Sequence, residues 1–188
     1  MTTRLEAINT MLSCIGQSPL NTLEGTKSYF TISAEKILED ETKRVQMQGW
    51  DFNSEDFYQL NPDENKIVKV PENMIMIKFP TRYKNRYVVR EHKLYDKFKH
   101  TYEIQEPLKV SVVFAYPFED LPEVVKHYAT MSAAYKFVKR ELGAEKASQY
   151  VQEDLLEAKV AMEQHEIEIG EYTMIPQMYD GRVRGYLE

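Results

Sequence analysis

The sequence predicts an α+β fold: a four-helix bundle-like body of two N-terminal and two C-terminal helices, an inserted small antiparallel β domain and an extended C-terminal arm. Three observations carry this. Apolar residues recur at helical spacing before Gly49 and again after Asp120. Between them lies a glycine-free stretch in which β-branched and aromatic runs alternate with turn residues. After Gly170 the period disappears, and Pro176, Gly181 and Gly185 interrupt a segment rich in tyrosine and methionine. The expected boundaries are 1–49 plus 118–170 for the helical body, 50–117 for the β domain and 171–188 for the arm.

The first helix opens on a capping box, Thr3 with Glu6, which satisfies two orphan donors reciprocally. Leu5, Ile8, Leu12 and Ile15 form its stripe, Gly16 supplies a left-handed stop and Pro19 forbids continuation. A second helix starts near Ser28, with Phe30, Ala34, Ile37, Leu38 and Val45 inward and Glu39, Asp40, Lys43 and Arg44 on a solvated face. Gly49 ends it. Strand-like runs then occupy Ile67–Val70, Met74–Phe79, Tyr87–Val89, Leu94–Tyr95 and Leu108–Phe114, consistent with one sheet of about four to six strands. Asp120 reads as the N-cap of a third helix, with Pro122 in its first turn and Glu123 completing the box. Its stripe is Val124, Tyr128, Met131, Tyr135, Val138 and Leu142. Gly143 then turns the chain into a fourth helix with Ala147, Val151, Leu155, Ala158, Met162, His165 and Ile169 inward. So short a connection makes this pair an antiparallel hairpin.

With 188 residues the chain can bury a core without staples. Its single cysteine, Cys14, cannot form an internal disulfide, which points to a reducing compartment. The net charge of −6 argues against an autonomous nucleic-acid binder. No long apolar run predicts a membrane anchor, and the N-terminus lacks the apolar core of a secretory signal.

The search for chemistry is nearly blank. His92, His100, His127 and His165 show no zinc spacing, and no phosphate loop or nucleophile elbow occurs, so no metal, cofactor or catalytic set is expected. Cys14 sits at a helix C-terminus, where the dipole disfavours a thiolate. Asp51, Glu55 and Asp56 beside Trp50, Phe52, Phe57 and Tyr58 leave one alternative, a polysaccharide hydrolase with paired carboxylates. The densest basic cluster is Arg82, Lys84, Arg86 and Arg90, interleaved with Tyr83 and Tyr87. In an acidic chain it suits a loop or a protein contact better than a nucleic-acid groove.

An ordered set of motifs resembles the tail tubular protein A family, the adaptor or head-to-tail connector proteins of short-tailed podoviruses. The set comprises Ile15-Gly16-Gln17-Ser18-Pro19, Thr22-Leu23-Glu24-Gly25, Gln48-Gly49-Trp50-Asp51-Phe52-Asn53, Val70-Pro71, Tyr87-Val88-Val89-Arg90, Leu94-Tyr95-Asp96, Asp120-Leu121-Pro122-Glu123, Gly143-Ala144, Glu157-Ala158, Met162-Glu163 and Gly170-Glu171-Tyr172-Thr173-Met174.

The resemblance implies a structural virion protein of the tail, made in the bacterial host cytoplasm. It implies a ring, commonly of twelve copies, joining the capsid portal to the tail nozzle (tail tubular protein B) and supporting tail fibres. It implies that DNA passes through a central channel without specific binding. The C-terminal arm is implied to clasp the portal, so Tyr172, Met174, Ile175, Met178, Tyr179, Arg182, Arg184, Tyr186 and Leu187 become candidate portal contacts. Arg82, Tyr83, Lys84 and Arg86 are candidate nozzle or fibre contacts. In a virion, the alternative hydrolase would be a particle-borne enzyme acting through the carboxylates near Trp50.

Overall fold

A computed structural model describes residues 1–83, 85–143 and 145–179; for 145–148 and 171–179 it describes the backbone alone. The described residues are mixed α and β, in two compact units. One unit comprises Met1–Val45 and Pro117–Glu188, the other Gln46–Tyr116.

The helical unit contains α1 (Arg4–Cys14), α2 (Tyr29–Gln46, whose last residue belongs to the other unit), α3 (Glu123–Glu141) and α4 (Glu145–Tyr179). α1 carries the expected box: Glu6 N donates to Thr3 Oγ1 at 3.2 Å and Thr3 N to Glu6 Oε2 at 2.8 Å. Its end is a Schellman turn. Gln17 N donates to Leu12 O and Gly16 N to Ser13 O, both at 3.0 Å. Gly16 takes the φ of +74° that this turn needs and that only glycine adopts cheaply. The buried face is Ala7, Ile8, Met11 and Leu12, rotated from the expected stripe so that Leu5 and Ile15 are only half-buried.

The start of α3 differs from expectation. Asp120 closes a 3₁₀ turn, Phe118–Asp120, and Pro122 is the N-cap, with no capping side chain. Pro122 brings φ −55° ready-made. The Glu123 carboxylate is bound by Thr2, whose N–H donates at 2.8 Å and whose hydroxyl also donates. α3 is buried around much of its circumference, at Val125, Ala129, Ala133, Phe137 and Val138 among others, because α1 and α4 both pack on it. Ala129, Ala133 and Ala134 are fully buried, so backbones approach closely there. Each large side chain buried here, such as Phe137 or Ile8, contributes about 1.5–3 kcal/mol of transfer free energy.

α2 meets α3 through polar groups. Glu41 is 2 % exposed and accepts from Arg44 Nε at 2.7 Å, from Ser132 Oγ at 2.6 Å and from Lys136 Nζ. Arg44 Nη2 also reaches Ser132 Oγ at 2.7 Å, and Ser33 Oγ donates to Glu141 at 2.8 Å. Burial alone would push the Glu41 carboxyl up. The hydrogen bonds from Arg44, Lys136 and Ser132 outweigh it and hold the group below its ordinary value.

The backbone from residue 171, where the arm is expected to start, is helical. α4 runs on through Tyr179, and residues 180–188 lie outside the described residues. The physical reason is cooperativity. Gly170 costs a helix only about 1 kcal/mol, too little to stop one already many turns long, since elongation adds a hydrogen bond per residue; this accounts for the passage through Gly170, whereas Pro176, which costs a helix interior about 3 kcal/mol, is passed without a structural explanation.

The second unit holds two antiparallel sheets among its described residues. One has the order β1–β5–β2, formed by Ser54–Leu60, Leu108–Phe114 and Met74–Lys78; the other pairs β3 (Tyr87–Arg90) with β4 (Lys93–Asp96). β1 is an element the sequence does not announce. It is an edge strand, exposed at its first four positions, with a register break between Glu55 and Tyr58 that destroys the alternation. The expected strand at Ile67–Val70 makes isolated bridges and three backbone bonds, Asp63 N to Ile67 O, Val70 N to His92 O and Leu94 N to Val68 O. Leu60, Val68, Tyr87, Leu94, Leu108, Val110, Val112 and Phe114 share one core.

The two ends of this unit are fastened together. Gln46 Nε2 donates to Tyr116 O at 3.0 Å, and Tyr116 N donates to Gln46 Oε1 at 2.7 Å. Buried Asn53 extends the fastening. Its Nδ2 donates to Gln46 O at 3.0 Å and Phe114 O at 2.8 Å, while its Oδ1 accepts from Trp50 N at 2.9 Å. Gly49, at φ +76°, turns the chain where a Cβ would lie 3.2 Å from a Val113 methyl.

Asn53→Asp sets a carboxylate oxygen against two carbonyls and is expected to lower stability by about 2–3 kcal/mol in urea unfolding at pH 7. Glu41 predicts a pH effect. Its folded pKa is depressed, so its stabilisation is present above the unfolded value of about 4.3 and is lost as pH falls through the folded value. Glu41→Gln should therefore be less stable at pH 7 and lose less stability than the parent between pH 5 and pH 3, an outcome urea midpoints at both pH values would check.

Candidate interaction surfaces

The outer face of the three-stranded sheet carries a groove of about 440 Å³. Its residues converge because of strand register. Lys78 lies opposite Ser111, and Lys109 lies two residues before Ser111, so all three side chains leave the same face. Leu108, Val110 and Val112 alternate with them into the core. Phe79, Pro80 and Arg82 close one end, and Phe57 stands on β1 at the other edge. Among the described residues, no carboxylate lies within ion-pair distance of Lys78, Arg82 or Lys109; Arg82 lies 4.7 Å over the Tyr83 ring.

Phe57 is the unusual member. It occupies the bulge with φ +60° and is 80 % exposed. A bulky side chain in left-handed backbone is strained by about 1–3 kcal/mol, and here no burial of the ring offsets it. The sequence signal for the bulge is the broken alternation of Glu55-Asp56-Phe57-Tyr58.

A second pocket, about 200 Å³, is lined by Tyr83, Arg86, Tyr87, Asp96 and Glu103 among others. Its centre is structural. Asp96 is 2 % exposed; its Oδ2 accepts from Arg86 Nε and Nη2 at 2.9 and 2.8 Å, and its Oδ1 from the backbone N–H of Phe98 and Lys99 at 2.9 and 3.1 Å. Burial pushes the Asp96 carboxyl up, but Arg86 and the two N–H groups hold it below its usual range. The predicted cluster thus divides: Arg82 faces the sheet groove, Tyr83 and Arg86 face the second pocket, and Lys84 lies outside the described residues.

On α4, Leu156, Val160 and Ile167 are 62 %, 43 % and 61 % exposed. They fall within about 40° of one another around the helix. Exposed Glu153 and Glu163 flank that arc. Val151, Ala158 and Met162 take the buried side. Of the candidate portal contacts, Tyr172, Met174, Ile175, Met178 and Tyr179 have helical backbone; Arg182, Arg184, Tyr186 and Leu187 lie outside the described residues.

Asp51 sits in a 3₁₀ turn and Glu55 and Asp56 lie exposed on β1; neither groove includes them. Burial, then the charge of Asp154, push the Cys14 thiol up, which makes it a poor nucleophile. Among the described residues no group of three His, Cys, Asp or Glu side chains could hold a metal ion, and no helix is long and apolar enough to cross a membrane.

Comparison with known proteins accords with this emphasis on surfaces. A family model described as tail tubular protein matches residues 5–172. A curated relative, tail tubular protein A of Klebsiella phage KP34, is 28% identical over 131 residues, 70% of this chain and 67% of that protein.

The divided basic cluster makes a prediction. Arg86→Met leaves Asp96 buried without its cation and should lower stability by about 3–5 kcal/mol. Arg82→Ala should change stability by no more than about 1 kcal/mol. Thermal or urea unfolding of both variants checks the contrast.

Proposed function

This chain belongs to the tail tubular protein family, a structural part of the phage tail, and on that premise we propose that it forms the adaptor ring between capsid portal and tail nozzle. The observation that carries the reading is the extent of the family match, which runs through both compact units and most of α4. A ring needs two different faces on each copy, and closure of the rotation gives a finite assembly rather than a fibre. Copy number in the virion is twelve. DNA leaves through the central channel, where the acidic balance of the chain, −6 overall, limits sticking of phosphates.

In this reading the C-terminal segment from Tyr172 to Leu187 clasps the portal, and Arg82, Tyr83, Lys84 and Arg86 contact nozzle or fibre. The segment combines tyrosine, methionine and arginine, the residue types enriched in interface cores. Sedimentation of the purified chain alone and mixed with portal tests assembly: ring-sized species are expected in at least the mixture, and a monomer in both overturns the ring. Removal of residues 172–188 should abolish portal binding while far-UV dichroism keeps most of its helical signal. A truncated chain that binds portal normally would remove the arm from the proposal.

A further inference from the structure

The sheet groove and the exposed face of α4 are complementary in three respects. The groove carries Lys78 and Lys109 without acidic partners, in a chain that is acidic overall; the α4 arc is flanked by Glu153 and by Glu163, which also lies 3.5 Å from Lys159 Nζ. The groove presents Phe57 and Phe79; the arc presents Leu156, Val160 and Ile167. The sizes also agree. From β1 across β5 to β2 the face measures about 10 Å at the usual strand spacing, about the diameter of a helix with its side chains.

We propose that the Leu156–Ile167 face of α4 in one copy seats in the β1–β5–β2 groove of the next copy, as the repeating contact of the ring. The inference rests on the ring reading and adds the two faces that would form it. Such a contact is heterologous, groove on one side and helix on the other, which is the kind that generates a ring. Phe57 is its anchor. An exposed aromatic held in strained backbone gains nothing in the isolated subunit, whereas against an apolar helix face it is buried on association. The lysine stems widen the apolar contact while their ammonium groups meet Glu153 and Glu163.

The test uses two charge-reversed full-length chains, Lys78→Glu with Lys109→Glu, and Glu153→Lys with Glu163→Lys. All four side chains are exposed, so dichroism spectra should match the parent. Under conditions where the parent forms rings by sedimentation velocity, with portal added if needed, each variant alone should remain monomeric. An equimolar mixture should recover ring-sized species, because in an alternating ring every parental helix meets a parental groove and every reversed helix meets a reversed groove. Variants that assemble as the parent does, or a mixture that stays monomeric, overturn the seating while the ring itself stands. A parent that never assembles overturns both.

Phe57→Gly provides a second, independent readout. It should leave the melting temperature equal or higher, by relief of strain, and weaken association roughly tenfold or more; parental association overturns the anchor. Binding of a single-stranded oligonucleotide that is lost in the lysine variant, with assembly intact, would reassign the groove to nucleic acid and overturn the proposal.

Discussion

The two-way amide pair between Gln46 and the backbone of Tyr116 is the constraint on which the β unit depends. A segment that leaves a helix and later returns must bring its ends together, and that closure is an entropy cost that grows slowly with loop length. Here one side chain supplies both donor and acceptor to the returning strand, as a neighbouring strand would. Asn53 then bonds the carbonyls of both Gln46 and Phe114, so entry and exit are fixed to the same amide. All these groups are buried or half-buried, where an unmet hydrogen bond costs more than a met one gains.

In the helical unit α3 plays the corresponding role by different means. α1 and α4 reach it through alanines and aromatic packing, and α2 through the Glu41 cluster. Taking a carboxylate out of water is expensive, and only several charge-assisted donors make it tolerable. Arg44 and Lys136 remain about half exposed, so the cations keep part of their hydration while they satisfy Glu41.

How much of this was legible in the sequence depended on whether the signal was local. The Thr3–Glu6 box, the Gly16 stop and the β-branched run at Leu108–Phe114 are decided within a few residues, and they stand as read. The Asp120 cap was misplaced because two caps compete within four residues, and the preset φ of Pro122 won. β1 was missed because an edge strand need not alternate when one flank meets solvent and a bulge shifts its phase. Glu41 carries no local signal, since its partners Ser132 and Lys136 come from a helix far along the chain. The groove is half legible: Arg82 belongs to a dense basic cluster in the sequence, but only register brings Lys78 and Lys109 onto one face.

The unequal lengths of the hairpin helices give the molecule a mechanical property. α3 has 19 residues and α4 has 35, or about 28 Å against about 52 Å at the standard rise. Because the two start from the same tight turn at Gly143, α4 extends roughly 24 Å beyond the end of its partner. An overhang of that length behaves as a lever. A tilt of about 10° at the packed base, within the scatter of ordinary helix crossings, carries the tip by about 4 Å. Small repacking against α3 can therefore be converted into a displacement comparable to a side chain at the far end of the helix.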